Sequence, residues 1–169
     1  MTSFSSRRIT RIGVVAAIYV VVTLLIAPVS YLSVQFRLSE ALMLLCFYHK
    51  DHILALSVGC LIANIFSPVG AIDVIVGTLA TVIAAVLIYL FRKKGSLSRM
   101  LICSLFPVIT NGIMVGAEIT LMSDEPVSFW LSAGGVVLGE VVSITIVGTI
   151  LFRIFEHNQV LMGMIEKDY

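Results

Sequence analysis

Arg37, Glu40, Asn64, Asp73, Asn111, Glu118 and Glu140 stand inside or at the edges of long apolar runs. An ionisable side chain at membrane depth costs roughly 2.5–3.5 kcal/mol on insertion scales, so each calls for a partner or a role. One arginine stands against four acids, Glu40, Asp73, Glu118 and Glu140, and pairing cannot neutralise them all. Surplus carboxylates in a cavity accept N–H donors and attract cations, which points to a ligand that is cationic or rich in N–H groups. Carboxylates also take up protons, so a self-sufficient carrier or channel coupled to protons through Asp73, Glu118 and Glu140 is the competing reading. Arg37 and Glu40, three residues apart, have two readings of their own: a structural ion pair on one helix face, or part of the site.

The elements that must position these groups are membrane helices. Of 169 residues, 59% are hydrophobic and 12% charged, against about 25% charged in a soluble domain. The mean hydropathy is +1.09. These values specify an all-α integral membrane protein. No Pro/Gly/Ser-rich linker divides the chain, so residues 1–169 read as a single membrane domain. A net charge of +1 selects no partner, and no basic stripe marks a nucleic-acid surface. Six apolar segments can be cut out, at about 11–28, 37–49, 53–66, 71–91, 99–121 and 128–153. The second and third fall short of the roughly 20 residues a perpendicular helix needs. The first resembles a signal peptide in its basic head, yet it lacks a small-x-small cleavage site before Pro28 and more spans follow, so it reads as a retained helix.

Six spans with a cytoplasmic N-terminus place Arg7, Arg8, Arg11, Lys50, Arg92, Lys93, Lys94, Arg99, Arg153 and Lys167 inside and only Arg37 outside. Both termini are therefore expected in the cytoplasm. On that map Arg37, Glu40, Asn64, Asp73 and Glu118 fall near the outer ends of their helices. Asn111 is two turns below Glu118 on the same face, and Glu140 lies about 18 Å down the sixth span at about 1.5 Å per residue. Polar groups from five helices thus converge on the outer half of the membrane.

Other features carry less. Cys46, Cys60 and Cys103 lie in apolar runs without CxxC spacing and read as small buried hydrophobes. His49 and His52 in "HKDH" read as interfacial residues, with no metal partners evident at that depth. Tyr19, Tyr31 and Trp130 suit interfacial anchors, and Trp130 and Tyr31, on the outer side, also suit stacking on a planar ligand. Gly13 and Ala17, with Ala16 beside them, form a small-residue strip for another helix or for internal packing. The chain has no Walker A loop, HExxH, GxSxG or dinucleotide turn, so no catalysis, bound cofactor or metal is expected. An intramembrane enzyme using two acids has no spacing to support it.

The stretches "VQFRLSEAL", "GCLIANIFSPVGAIDVIVGTLAT", "NGIMVGAE" and "LGEVVSITIVG" resemble the queuosine-precursor transporter (QueT) family, among the S components of energy-coupling factor (ECF) transporters. The resemblance runs from about residue 10 to 155, and it implies a multi-pass protein of the bacterial plasma membrane with an S-component bundle. Such a subunit holds a small ligand near the outer face under the loop after the first helix, here residues 28 to 37. It docks through small residues of that helix, here Gly13, Ala16 and Ala17, onto the coupling subunit EcfT, which two ATPase subunits drive. ATP is thus used by the partners. Val20 and Val21 stand where the family pattern has a further alanine. The implied ligand is a 7-deazaguanine, and a cobalamin-type ligand is the alternative. A 7-deazaguanine offers N1–H and a 2-amino group side by side to one carboxylate, and its aminomethyl form adds an ammonium for a second. Glu118 and Glu140 are expected in these two roles, with Asn64, Asn111 and Asp73 completing the polar edge. Arg37 and Glu40 are expected to shape the loop.

Overall fold

A computed structural model of the protein describes residues 6–26, 36–123 and 126–166. The described chain is helical throughout. Its elements are α1 (Ser6–Leu25), a 3₁₀ helix (Leu38–Phe47), α2 (Asp51–Asn64), α3 (Ala71–Phe91), α4 (Leu97–Met122), α5 (Phe129–Glu140), a π segment (Val141–Gly148), α6 (Thr149–Glu156) and α7 (Gln159–Glu166). Four stretches are long and apolar enough to cross a bilayer: α1, α3, α4 and the continuous run Phe129–Glu156. The 3₁₀ helix and α2 are apolar but shorter, at 10 and 14 residues.

Local sequence accounts for the helix ends. Gly70, at φ 85, turns the chain after Pro68 into α3, a left-handed conformation open to glycine at little cost. Ser96 and Ser128 cap α4 and α5, each hydroxyl accepting a backbone N–H three residues on, at 3.4 Å in both cases. On α3 the apolar residues Ile75, Leu79, Ile83, Val86 and Leu90 recur at helical spacing and face outward. The opposite face, Asp73, Gly77, Ala80, Thr81, Ala84 and Ile88, is buried. Greasy outside and small or polar inside is the arrangement of a helix solvated by lipid.

The core forms around the 3₁₀ helix, whose Met43, Leu44, Cys46 and Phe47 have no exposed surface. It packs on the π segment, where a Cβ on Gly148 would come within 3.2 Å of the Ala41 carbonyl oxygen. Helix α1 lies on α2 with equal intimacy: a Cβ on Gly59 would sit 2.9 Å from the Cβ of Tyr19.

Contacts also fix which elements share an end. Asp51 accepts from Arg8 Nε at 2.8 Å and from Arg11 at 2.6 Å. His52 Nε2 donates to the Ile165 carbonyl at 3.1 Å, and Lys94 meets Glu166 at 3.1 Å. The start of α1, the turns before α2 and α4, and α7 therefore gather at one end of the bundle, rich in basic groups. Helix α7 lies in the stretch after Phe155, for which the sequence predicts no further element.

Candidate functional site

At the opposite end the polar intruders come together. The start of the 3₁₀ helix brings Arg37 and Glu40, the end of α2 brings Asn64, and the start of α3 brings Asp73. The middle of α4 brings Asn111 and its last turns Glu118, and Glu140 reaches the cluster from near the middle of the run Phe129–Glu156. All seven are buried. Charge ties them across helices: Glu118 is within electrostatic reach of Asp73 and Arg37, and Glu140 of Glu40 and Arg37.

Within the cluster some groups are held and others are open. Asn111 Nδ2 donates to Glu140 Oε1 at 2.7 Å. The Tyr19 hydroxyl donates to Glu40 Oε1 in a short bond. Asn64 Nδ2 donates to the backbone carbonyl of Asp73 at 3.1 Å. That arrangement needs Gly77, since a Cβ there would lie 2.5 Å from Asn64 Nδ2 and 3.0 Å from Asp73 Oδ1. Both oxygens of Glu118, both of Asp73, Oε2 of Glu40 and of Glu140, and Oδ1 of Asn64 find no hydrogen-bond partner among the described residues. Every one of these is an acceptor, or becomes one on ionisation. A buried acceptor without a partner costs roughly 1–3 kcal/mol, so the cluster carries an unmet demand for donors.

Arg37 and Glu40 are less simply paired than their spacing predicts. Arg37 acts on Glu40 through its charge, while the carboxylate takes its short hydrogen bond from Tyr19. Tyr19, expected as an interfacial anchor, is fully buried. It ties α1 to the cluster, and a second tie follows one turn on, where the Thr23 and Ser39 hydroxyls meet at 2.6 Å. Sequence reasoning also passed over Ser132 and Ser143, both buried with hydroxyls lacking a partner among the described residues. Ser132 precedes Glu140 by eight residues on the buried face of α5, and that spacing could have found it. The chain passes into π geometry one residue after Glu140, and such wide turns gather at functional sites.

Trp130 is not part of the cluster. It is 82% exposed and edges a shallow apolar groove of about 330 Å3 with Ile109, Ile113 and Val137. The loop expected to cover the site is described only at Phe36 and Arg37; Tyr31, and with it residues 28 to 35, lies outside the described residues, as do Asp124, Glu125 and Lys167. The small-residue strip of α1 is divided: Gly13 and Ala17 are exposed, whereas Ala16 is buried, its carbonyl oxygen close against Gly59 of α2.

At the other end, the Asp51 backbone N–H and Arg11 both donate to His49 Nδ1 at 3.2 Å, which puts the ring proton on Nε2. His52 sits before the apolar run that begins at Ile53. Burial holds its pKa down to about 4, although the bond to the Ile165 carbonyl favours the proton.

Comparison with known proteins identifies the family. The family model described as "QueT transporter" matches residues 9–157. A curated relative from Lactococcus lactis subsp. cremoris (strain MG1363), named "Queuosine precursor transporter QueT", is 32% identical over 148 residues, covering 82% of this chain and 86% of the relative. No solved structure matches. The buried carboxylates of an all-helical, lipid-facing bundle are thus those of a transport protein, and the chain belongs to the QueT transporter family.

Proposed function

We propose that this protein is the substrate-capture S component of an ECF-type importer, and that it takes up a 7-deazaguanine precursor of queuosine, preferentially the aminomethyl form. The observation that carries the reading is the set of buried carboxylates with oxygens open to incoming donors, Glu118 and Asp73 above all. A 7-deazaguanine supplies adjacent N–H donors for one carboxylate, and an aminomethyl group supplies an ammonium for a second. The relative's printed name, a queuosine precursor transporter, agrees with this ligand class. Glu118 and Glu140 take the two recognition roles, Asn111 orienting Glu140 and Asn64 orienting the backbone beside Asp73.

In this reading the basic end is cytoplasmic, by the bias of lysine and arginine toward that side, and the carboxylate cluster opens outward. The 3₁₀ helix and α2, short as they are, complete six passes. A 3₁₀ helix rises about 2 Å per residue, so ten residues reach about 20 Å. The exposed Gly13 and Ala17 on α1 form the surface against which EcfT docks, and two ATPase subunits drive the cycle.

Calorimetric titration of the purified chain with the aminomethyl and cyano deazaguanines, guanine and cobalamin tests the ligand. Tight binding of a deazaguanine by the chain alone is expected, the aminomethyl form ahead of the cyano form; binding of cobalamin alone would overturn the ligand. Uptake that needs the coupling subunit and survives collapse of the proton gradient is expected of the complex. The opposite pattern would establish a proton-coupled carrier.

A further inference from the structure

The basic end holds a polar concavity, apart from the carboxylate cluster. Lys50 in the turn before α2 and Arg92 and Lys94 after α3 line a cavity of about 150 Å3, walled by Tyr48 and Tyr89. Arg92 is held in place there: its guanidinium carbon lies 3.5 Å from the centroid of the Tyr89 ring, and it donates to the Tyr89 carbonyl. The Lys50 ammonium has no hydrogen-bond or ion partner among the described residues. Tyr48 is engaged, its hydroxyl donating to Glu156 at 3.1 Å.

One anion already sits in this basin. Glu166, at the end of α7, places Oε1 3.1 Å from Lys94 Nζ, with the two side chains 38% and 48% exposed. An ion pair so open to water is weak and exchangeable. Helix α7 has no fully buried residue; Met162 and Ile165 pack against the edge of the core, and among the described residues His52 donates to the Ile165 carbonyl. A single exposed carboxylate thus stands among three cations, which leaves the basin with a positive surplus.

We propose that this basin is a binding site for a phosphate group, in which Glu166 is a displaceable internal occupant. Phosphate oxygens accept from several cationic donors at once, where a carboxylate answers Lys94 alone. The group can come from the headgroup of an anionic phospholipid in the adjoining leaflet or from free phosphate.

The test uses the purified full chain and its thermal unfolding midpoint. One arm titrates inorganic phosphate; the other compares nanodiscs of phosphatidylcholine with nanodiscs carrying phosphatidylglycerol. A rise in the midpoint with phosphatidylglycerol supports the lipid source, and a saturable rise with inorganic phosphate supports the free ion. In either case the double substitution Lys50→Gln/Lys94→Gln is expected to weaken the apparent affinity at least fivefold, and Glu166→Gln to tighten it. Deazaguanine titration of the same variants is expected to be unchanged, which separates this site from the carboxylate cluster. Failure of both anions to raise the midpoint, or an unaltered response in the double variant, would overturn the proposal, as would weaker binding in Glu166→Gln.

Discussion

Glu118→Gln separates a ligand-binding carboxylate from a structural one. Glu118 is 4% exposed, and neither of its oxygens has a hydrogen-bond partner among the described residues. Replacing it by an isosteric amide therefore removes no internal hydrogen bond and takes a charge out of a buried position. The unliganded protein is expected to unfold at the same temperature as the wild type or higher. Binding responds in the opposite direction. The amide turns one acceptor into a donor that faces the ligand's own N–H, and a hydrogen bond to a charged group is lost. Such bonds are worth about 1.5–3 kcal/mol, which converts to a Kd about 10- to 150-fold weaker. Calorimetric titration with the aminomethyl deazaguanine, beside a melting curve of the empty protein, reads both quantities from one preparation. A Kd within about twofold of wild type would refute a role for Glu118 in binding. A large fall in the empty protein's midpoint would refute the premise that its oxygens stand open.

Three further outcomes follow from the geometry. Gly77→Ala drives a Cβ to 2.5 Å from Asn64 Nδ2, and the overpacking is expected to cost about 1–3 kcal/mol, read as a lower melting midpoint together with weaker ligand binding; an unchanged midpoint would show that Asn64 moves aside freely. Tyr19→Phe strips Glu40 of its donor, with an expected loss of about 1–3 kcal/mol of stability in denaturant titration, and no loss would mean that Glu40 finds another donor. His52, with a pKa held near 4 by burial against an unfolded value of about 6.5, stabilises the fold fully above pH 6.5 or so. That contribution fades as pH falls from there toward 4, so His52→Gln is expected to flatten the melting midpoint across this window, and an unaltered slope would count against a buried neutral ring.

The helical, lipid-facing class was legible because composition and hydropathy report solvent preference directly, and in α3 the outward stripe from Ile75 to Leu90 follows plain helical spacing. Of the binding residues proposed from sequence, Glu118, Asp73, Glu140, Glu40, Asn64, Asn111 and Arg37 do meet in space, since each was a polar group at a comparable depth in an apolar run. Their partners were less visible. Tyr19 looks like any membrane aromatic until α2 presses Gly59 against it and turns its hydroxyl onto Glu40. Asp51 pairs with Arg8 and Arg11 across some forty residues of chain, a distance no local pattern spans. Trp130 illustrates the converse: of its two readings, interfacial anchor and stacking residue, its place on the outer surface suits the first.

The 3₁₀ helix carries a consequence for how the protein is made. Its ten residues follow Arg37 and contain Glu40, and a segment entering the bilayer alone needs about twice that length of apolar chain. It rests at full burial against α1, α2, α3, α4 and the π segment, and the last of these emerges from the ribosome about a hundred residues later. Leu38–Phe47 therefore reaches its final place after synthesis of Phe129–Glu156 is nearly complete. Glu40 on one of these elements and Glu140 at the edge of the other come within electrostatic reach only once the two have met.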